Sequence, residues 1–339
     1  MTSIIRLDSA SHGCEAVYEV RDPGVGLQAW IAVHDRSRGP GVGGVRRRRY
    51  PSSDAAIADA TSLAQQMTWK TRFASLPCGG AKSVILDVPG MDLERVYRAF
   101  GRAVTSLEGG YFCGPDVGTG ARELGWIRDQ TRFVNAASND ASEATARGVL
   151  AGIRACLAYR WAGAERPLTV LVQGLGRVGT RVVSGLVGAN RHITGCDPVA
   201  TAVSSTRQAH PGMEVIDPSH SDSHPCDLFV PCAVGPVVTA SNVGQLPYQV
   251  ICGSANTQLA HMDLAARLRG AGILYAPDFV VNAGAVIEGV LVQFEPGPDV
   301  RARVQARIDG IEGRCRTLFR DAESLGRAPA ELAQEMVQS

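Results

Sequence analysis

The sequence has no apolar stretch that could span a bilayer, since each is interrupted well before the ~18 residues a crossing helix needs. Its first residues, MTSIIRLDSASHG, hold no apolar core of signal-peptide length. These two absences predict a cytoplasmic protein without a membrane partner. Charge of one sign is missing too: the formal net charge is +1 with 20% charged residues, so no global basic field argues for nucleic acid. None of the 9 cysteines forms a Cys-x-x-Cys pair, and most sit in apolar runs, which predicts reduced thiols acting as small buried hydrophobes. Internal repeats and low-complexity segments are absent. One cluster, HSDSHPC, supplies His220, His224 and Cys226 as metal-ligand types, but no fourth ligand lies nearby and the composition suits an exposed loop, so no metal is expected. The run Arg46-Arg47-Arg48-Arg49 reads as a solvated loop ahead of an anion or partner site.

What is present points to two α/β domains. A chain of 339 residues with 45% hydrophobic content is long enough for about two cores. LQAWIAVH (27–34) is β-rich and apolar, whereas SSDAAIADATSLAQQM opens with capping residues and repeats Ile57, Ala60, Ala64 and Met67 at helical spacing. KSVILDV reads as the next strand, and DLERVYRAFGRAVTSL as a helix with Val96, Phe100 and Val104 on one face. The alternation predicts parallel crossover units. The small polar stretch AASNDAS, near residue 138, reads as a hinge. The expected division is a substrate-binding and oligomerising domain over 1–137, rejoined by about 315–339, and a doubly wound Rossmann-type domain over 138–314.

In the second domain LTVLVQ runs into GLGRVG, where Gly174, Gly176 and Gly179 make Gly-x-Gly-x-x-Gly between a predicted strand and a predicted helix. The first glycine suits a tight turn, the second lets backbone approach a pyrophosphate, and the third lets helix pack on strand; Arg177 and Val178 complete the turn. Asp197 ends the next strand, HITGCD, near the expected distance of ~20 residues. Its carboxylate would accept from ribose hydroxyls and repel a 2′-phosphate, and Pro198, Val199 and Ala200 follow it in place of a compensating arginine. NAD is the expected cofactor. DLFVPCA, YQVICGSAN and GILYAPDF continue the sheet, each ending in small or polar residues where such sheets bind ligands.

In the first domain SLPCGGAKSVILDVPG sets Lys82 between a glycine turn and an apolar run. It is no phosphate loop, because Ala81 and Leu76 stand where that loop needs glycines. Oxidation of an amino acid needs a cation for the carboxylate, a base, and a second carboxylate to shuttle protons. Lys70, Lys82 and Asp116 supply these types, and burial or a charged neighbour such as Lys70 would suit Lys82 to work as a base. Read singly, Lys70 is equally a solvated helix end, Asp116 a turn residue and Asn282 a helix cap.

Seven ordered strings, GPGVGGVR, QMTWKTRFASLPCGGAKSVIL, GPDVGT, VQGLGRVG, VPCAVG, CGSANTQL and YAPDFVVNAGAVI, resemble the glutamate/leucine/phenylalanine/valine dehydrogenase family, above all its phenylalanine and leucine branch. The resemblance implies that Lys70 binds the substrate carboxylate, that Lys82 is the catalytic base and that Asp116 is its proton-transfer partner. It further implies that Gly43 and Gly44 contact substrate, that Thr145 and Asn256 hold the nicotinamide carboxamide, that Cys232 and Ala233 border the cofactor, and that Asn282 faces the cleft. The side-chain pocket would be lined by Val42, Gly114, Val286 and Gly289, where the two glycines remove methyls that branched-chain relatives carry. Ala81 and Ala285 stand where relatives have glycine, with methyls that narrow the cleft, and Glu288 adds a charge near the pocket. The implied reaction is reversible NAD-dependent oxidative deamination of a bulky apolar L-amino acid to a 2-oxo acid and ammonia, by a homo-oligomer closing around its hinge. A non-protein amino acid as substrate, or a non-catalytic NAD-binding protein on this fold, are the other readings.

Overall fold

The computed structural model describes residues 1–8, 12–135, 141–162, 166–188 and 190–338. The chain forms two compact units, Met1–Asn139 with Gly289–Val300 and Asp140–Glu288 with Arg301–Ser339. The segment that returns to the first unit is therefore 289–300, whereas the C-terminal stretch expected there stays with the second. Ala328 and Ala330 explain this, for both are buried in the core of the second unit with Leu264 and Leu268.

In the first unit strands β1 (Ser3–Leu7), β2 (Ala16–Asp22) and β3 (Leu27–Asp35) form an antiparallel meander. Strands β4 (Gly41–Arg48), β5 (Gly79–Leu86) and β6 (Tyr111–Gly114) complete a six-stranded sheet of order β1-β2-β3-β5-β4-β6. β4 runs parallel to β5 and β6, but β5 is antiparallel to β3. The parallel crossovers expected throughout occur here in only half of the sheet. The turn after Asp22, closed by Val25 N–H donating to the Asp22 carbonyl at 3.1 Å, is far too short for a crossover and forces a hairpin.

Helix α1 (Ser53–Phe73) covers one face of this sheet, and α2 (Leu93–Thr105) and α3 (Ala121–Arg128) cover the other. Ser52 starts α1 by accepting from the Ala55 N–H at 3.1 Å. Alternation along β5 sorts its residues. Ala81 and Ile85 enter the core with Val96, Phe100, Val104 and Ile127, while Val84 meets Ala60, Ala64 and Trp30 beneath α1. Lys82 shares its parity with Val84 and so belongs to the α1 side. Gly80 lets α1 lie directly on the strand: a Cβ there would fall 2.5 Å from the Ala64 carbonyl oxygen and closer still to the Thr68 backbone nitrogen.

The second unit opens with α4 (Ala141–Trp161) and builds a fully parallel sheet. Strands β7 (Leu168–Gln173), β8 (Arg191–Cys196), β9 (Glu214–Val215), β10 (Cys226–Pro231), β11 (Tyr248–Ile251) and β12 (Leu274–Tyr275) lie in the order β12-β11-β10-β7-β8-β9. This is the Rossmann order, with its switch point between β7 and β10. Helices α5 (Arg177–Leu186), α6 (Ala200–Ala209), α7 (Leu264–Gly270), α8 (Asp278–Val281), α9 (Gly284–Phe294), α10 (Val300–Ser324) and α11 (Pro329–Gln338) complete the fold. Among the described residues no helix is long and apolar enough to cross a membrane, and no group of three His, Cys, Asp or Glu could hold a metal ion. Cys226 turns its thiol into the core.

Candidate active site

Three strands and a helix of the first unit converge on one charged cluster. Lys82, only 6% exposed on β5, pairs with Asp116 in the loop after β6. Arg46 on β4 donates from Nε to the other Asp116 oxygen at 3.0 Å, and the Val117 N–H donates to that same oxygen at 2.6 Å. Behind it Arg46 also pairs with Asp59 of α1 at 3.1 Å, and Asp59 accepts from the Tyr50 hydroxyl at 2.6 Å. Burial alone would raise the Asp116 carboxyl; the Lys82 ammonium and the Arg46 guanidinium outweigh it and hold the group well below the usual carboxylate range. Lys70 is 8% exposed near the end of α1, so the solvated-terminus reading fails. The solvated reading of the arginine run holds for only half of it. Arg46 is 12% exposed and Arg47 pairs with Asp87, leaving Arg48 and Arg49 in solvent.

The glycines beside this cluster make room for backbone and carboxylate. A side chain on Gly43 would collide with the Ala81 carbonyl, and one on Gly44 would fall 2.8 Å from the Asp116 Cβ. Beneath them the buried Tyr111 hydroxyl lies 2.9 Å from Ser83 Oγ and donates to the Gly43 carbonyl at 3.1 Å. Ala81 departs from expectation: its methyl is fully buried in the core, on the opposite face from Lys82, and narrows no cleft. Val42 is half-buried on β4. A Cβ built on Gly114 would fit without a clash, in ordinary contact with the Asn135 side chain at 3.8 Å. Gly289 differs, because Asn135 Nδ2 lies 2.7 Å from the position a Cβ would take. The room expected from that glycine is thus filled by an amide. Asn135 itself is fixed by its N–H to the Cys113 carbonyl at 2.8 Å and by Arg128 on its own carbonyl at 2.8 Å. Its Oδ1 is buried with no hydrogen-bond partner among the described residues.

In the second unit the loops after β7 and β10 meet. Gly174 adopts φ +92°, and a Cβ on it would strike the Ala233 nitrogen at 2.7 Å, so Cys232 and Ala233 flank the glycine turn. Gly176 caps α5 and has open space where a side chain would stand, with Arg177 exposed and Val178 half-buried after it. Gly179 sits against the Gly174 carbonyl, too close for any side chain. Asp197 accepts from the Leu175 N–H at 2.7 Å and the Val199 N–H at 2.8 Å. It lines an open groove of about 1230 Å³ with Pro198, Val203, Arg207 and Asp217. Arg207 is a cation that its distance in sequence concealed; Asp217 is a second carboxylate. Asn282 donates to Asn256 Oδ1 at 3.2 Å and to the Ser254 carbonyl at 3.2 Å, leaving its own Oδ1 buried and without a partner among the described residues. Thr145 bonds back to the Ala141 carbonyl on α4, one turn from where Gly284 packs. Val286 and Ala285 are half-buried on α9, and Glu288 there keeps Oε2 out of solvent. The open Gly176 cradle, the helix N-terminus and the unpartnered Asn282 oxygen fit a dinucleotide carrying a carboxamide.

Sequence reasoning missed Asn135, Tyr111 and the role of Arg46. Arg46 closes the GPGVGGVR string and could have been found there, but nothing local marks Asn135. A further signal went unread. Of 34 lysines and arginines only two are lysine, Lys70 and Lys82. A chain that otherwise uses a cation unable to lose its proton keeps an amine at these two buried places.

Residues 15–133 match the Glu/Leu/Phe/Val dehydrogenase dimerisation domain, and residues 198–292 match the Glutamate/Leucine/Phenylalanine/Valine dehydrogenase domain. The phenylalanine dehydrogenase of Caldalkalibacillus thermarum is 33% identical over 96% of this chain and 90% of its own length. The leucine dehydrogenase of Bacillus subtilis is 35% identical over 93% of this chain and 87% of its own. The crystal structure of L-tryptophan dehydrogenase from Nostoc punctiforme superposes with TM-score 0.80 at 28% identity, covering 97% of this chain and 96% of that one. By both domain matches and by these full-length likenesses, the chain belongs to the glutamate/leucine/phenylalanine/valine dehydrogenase family, nicotinamide-dependent oxidoreductases that act on a CH–NH2 group.

Proposed function

We propose that the protein catalyses the reversible NAD-dependent oxidative deamination of a bulky apolar L-amino acid to its 2-oxo acid and ammonia, as a homo-oligomer. The observation that carries this reading is the buried Lys82–Asp116 pair in a chain that also retains the dinucleotide turn. Lys70 holds the substrate α-carboxylate. A bound nicotinamide supplies acceptance of the Cα hydride. Lys82, once unprotonated, takes a proton from water as that water adds to the imine carbon, and Asp116 passes protons to and from the nitrogen. Because two cations hold Asp116 ionised, it carries a proton only in passing. The carboxylates of Asp197 and Asp217 in the adenosine groove outnumber Arg207 and favour NAD over NADP.

For the side chain, none of Val42, Gly114, Val286 and Gly289 is charged, so a glutamate carboxylate would be desolvated without a partner. The missing methyl at Gly114, where a Cβ would stand in ordinary contact with Asn135, leaves room for bulk. A second reading within this class comes from Asn135, whose side chain adjoins both Gly114 and Gly289 and whose unpartnered Oδ1 lies 3.6 Å from the Cβ position of Gly289. A side chain ending in an N–H or O–H, such as indole or phenol, would satisfy it, a gain of about 1–3 kcal/mol over phenyl. Steady-state kcat/KM for phenylalanine, tryptophan, tyrosine, leucine, valine and glutamate tests both. The expected order places an aromatic first and leucine detectable, since a methylene or two discriminates by only about 1–3 kcal/mol. Tryptophan or tyrosine leading, with the lead lost in Asn135→Ala, selects the second reading. Glutamate or valine first would overturn the pocket assignment.

A further inference from the structure

Asp116 offers two oxygens, and the structure accounts for both. One faces Lys82. The other accepts from Arg46 Nε at 3.0 Å and from the Val117 N–H at 2.6 Å. The guanidinium is itself fixed from behind, since its Nη1 spans both Asp59 oxygens at 3.3 and 3.1 Å, and the Tyr50 hydroxyl donates to Asp59 at 2.6 Å. A planar fork seated on α1 therefore sets the plane of a carboxylate carried on the short turn in which Asp116 and Thr119 bridge. The four charges of Lys82, Asp116, Arg46 and Asp59 balance, so the cluster stays buried without a net charge.

We infer that Arg46 is a positioning residue for the deamination: its guanidinium, clamped by Asp59 and Tyr50, fixes the Asp116 carboxylate against Lys82. This rests on the proposed function, in which Asp116 relays protons. With Arg46 removed, one Asp116 oxygen keeps only the Val117 N–H, and the carboxylate is free to turn about its last bond. Binding of the substrate carboxylate, assigned to Lys70, is left in place. The cost therefore falls on turnover and not on substrate affinity.

The test compares wild type, Arg46→Met, Arg46→Lys and Asp59→Asn with the best L-amino acid of the substrate ranking, and adds a crystal structure of Arg46→Met. A misplacement near 1 Å predicts kcat lower by about ten- to a hundredfold in Arg46→Met with KM within about twofold. Arg46→Lys recovers part of that kcat, returning the charge without the fork. Asp59→Asn, which frees the guanidinium but keeps it, gives a smaller loss of the same kind and carries the test if Arg46→Met does not fold. In the crystal the Asp116 carboxylate is expected to have left Lys82. Unchanged kcat, a loss confined to KM, or a carboxylate still seated on Lys82 would each overturn the inference. A wild type that turns over no amino acid would sink the proposed function, while the crystal structure would still judge Arg46.

Discussion

Replacing Gly80 by alanine adds one methyl where α1 rests on β5, and the structure sets how far the two must part. The new Cβ would lie 2.5 Å from the Ala64 carbonyl oxygen and closer to the Thr68 nitrogen, both backbone atoms that no rotamer change can remove. Reaching an ordinary separation near 3.5 Å from the carbonyl oxygen requires α1 and β5 to part by about 1 Å, and the nearer Thr68 nitrogen requires somewhat more. Overpacking of this kind costs about 1–3 kcal/mol, which for a unit this size lowers Tm by roughly 2–12 °C. The consequence for function is larger, because α1 carries Lys70 and Asp59 and β5 carries Lys82. A shift of 1 Å between groups that must act on one substrate can cost on the order of a hundredfold in kcat/KM. Thermal melts and steady-state kinetics of Gly80→Ala measure both. Gly125→Ala is the control: that glycine lies inside α3 with nothing within 4 Å of a built Cβ. It should gain about 0.5–1 kcal/mol and keep its kinetics. If Gly80→Ala matches wild type in both melting and turnover, close helix–strand packing does not set the geometry of the cluster.

Three more outcomes are expected. Lys82→Ala should lose about 10²–10⁴-fold in turnover while NADH binding, followed by fluorescence titration, is retained; Lys82→Arg should fare no better, since a guanidinium cannot act as a base. Lys70→Ala should instead raise KM, and near-normal kinetics in either alanine variant would remove its assigned role. NADP should be a poor cofactor, and Asp197→Ala should narrow the gap between NAD and NADP, with Arg207 left as a cation lining that groove; equal kcat/KM for the two cofactors in the wild type would refute the role of that carboxylate.

Much of the second unit was legible because its signals are local. The strand, the Gly-x-Gly-x-x-Gly turn and Asp197 follow one another within a single βαβ unit, and the observed sheet order agrees with them. In the first unit the helical faces of α1 and α2 were equally readable, with Ala60, Ala64, Val96 and Phe100 buried as their spacing implies. The failures concern groups that meet across sequence. Arg46 and Asp116 lie 70 residues apart, and no pattern around the arginine run announces which of its members turns inward. Asn135 fills the space over Gly289, so a pocket judged from glycines alone was overestimated. The chain's return through 289–300 was misjudged because an apolar terminal helix looks alike wherever its partner lies.

The near absence of lysine makes the first unit readable by proteolysis. An endoprotease specific for lysine finds two cleavage sites in 339 residues, after Lys70 in α1 and after Lys82 in β5, both buried in regular structure. Neither bond can be cut while helix and strand remain formed, so cleavage reports the opening of that one unit and is silent on the other. A ligand seated on those side chains would slow the cut, and the digestion rate becomes a binding assay that needs neither turnover nor a chromophore.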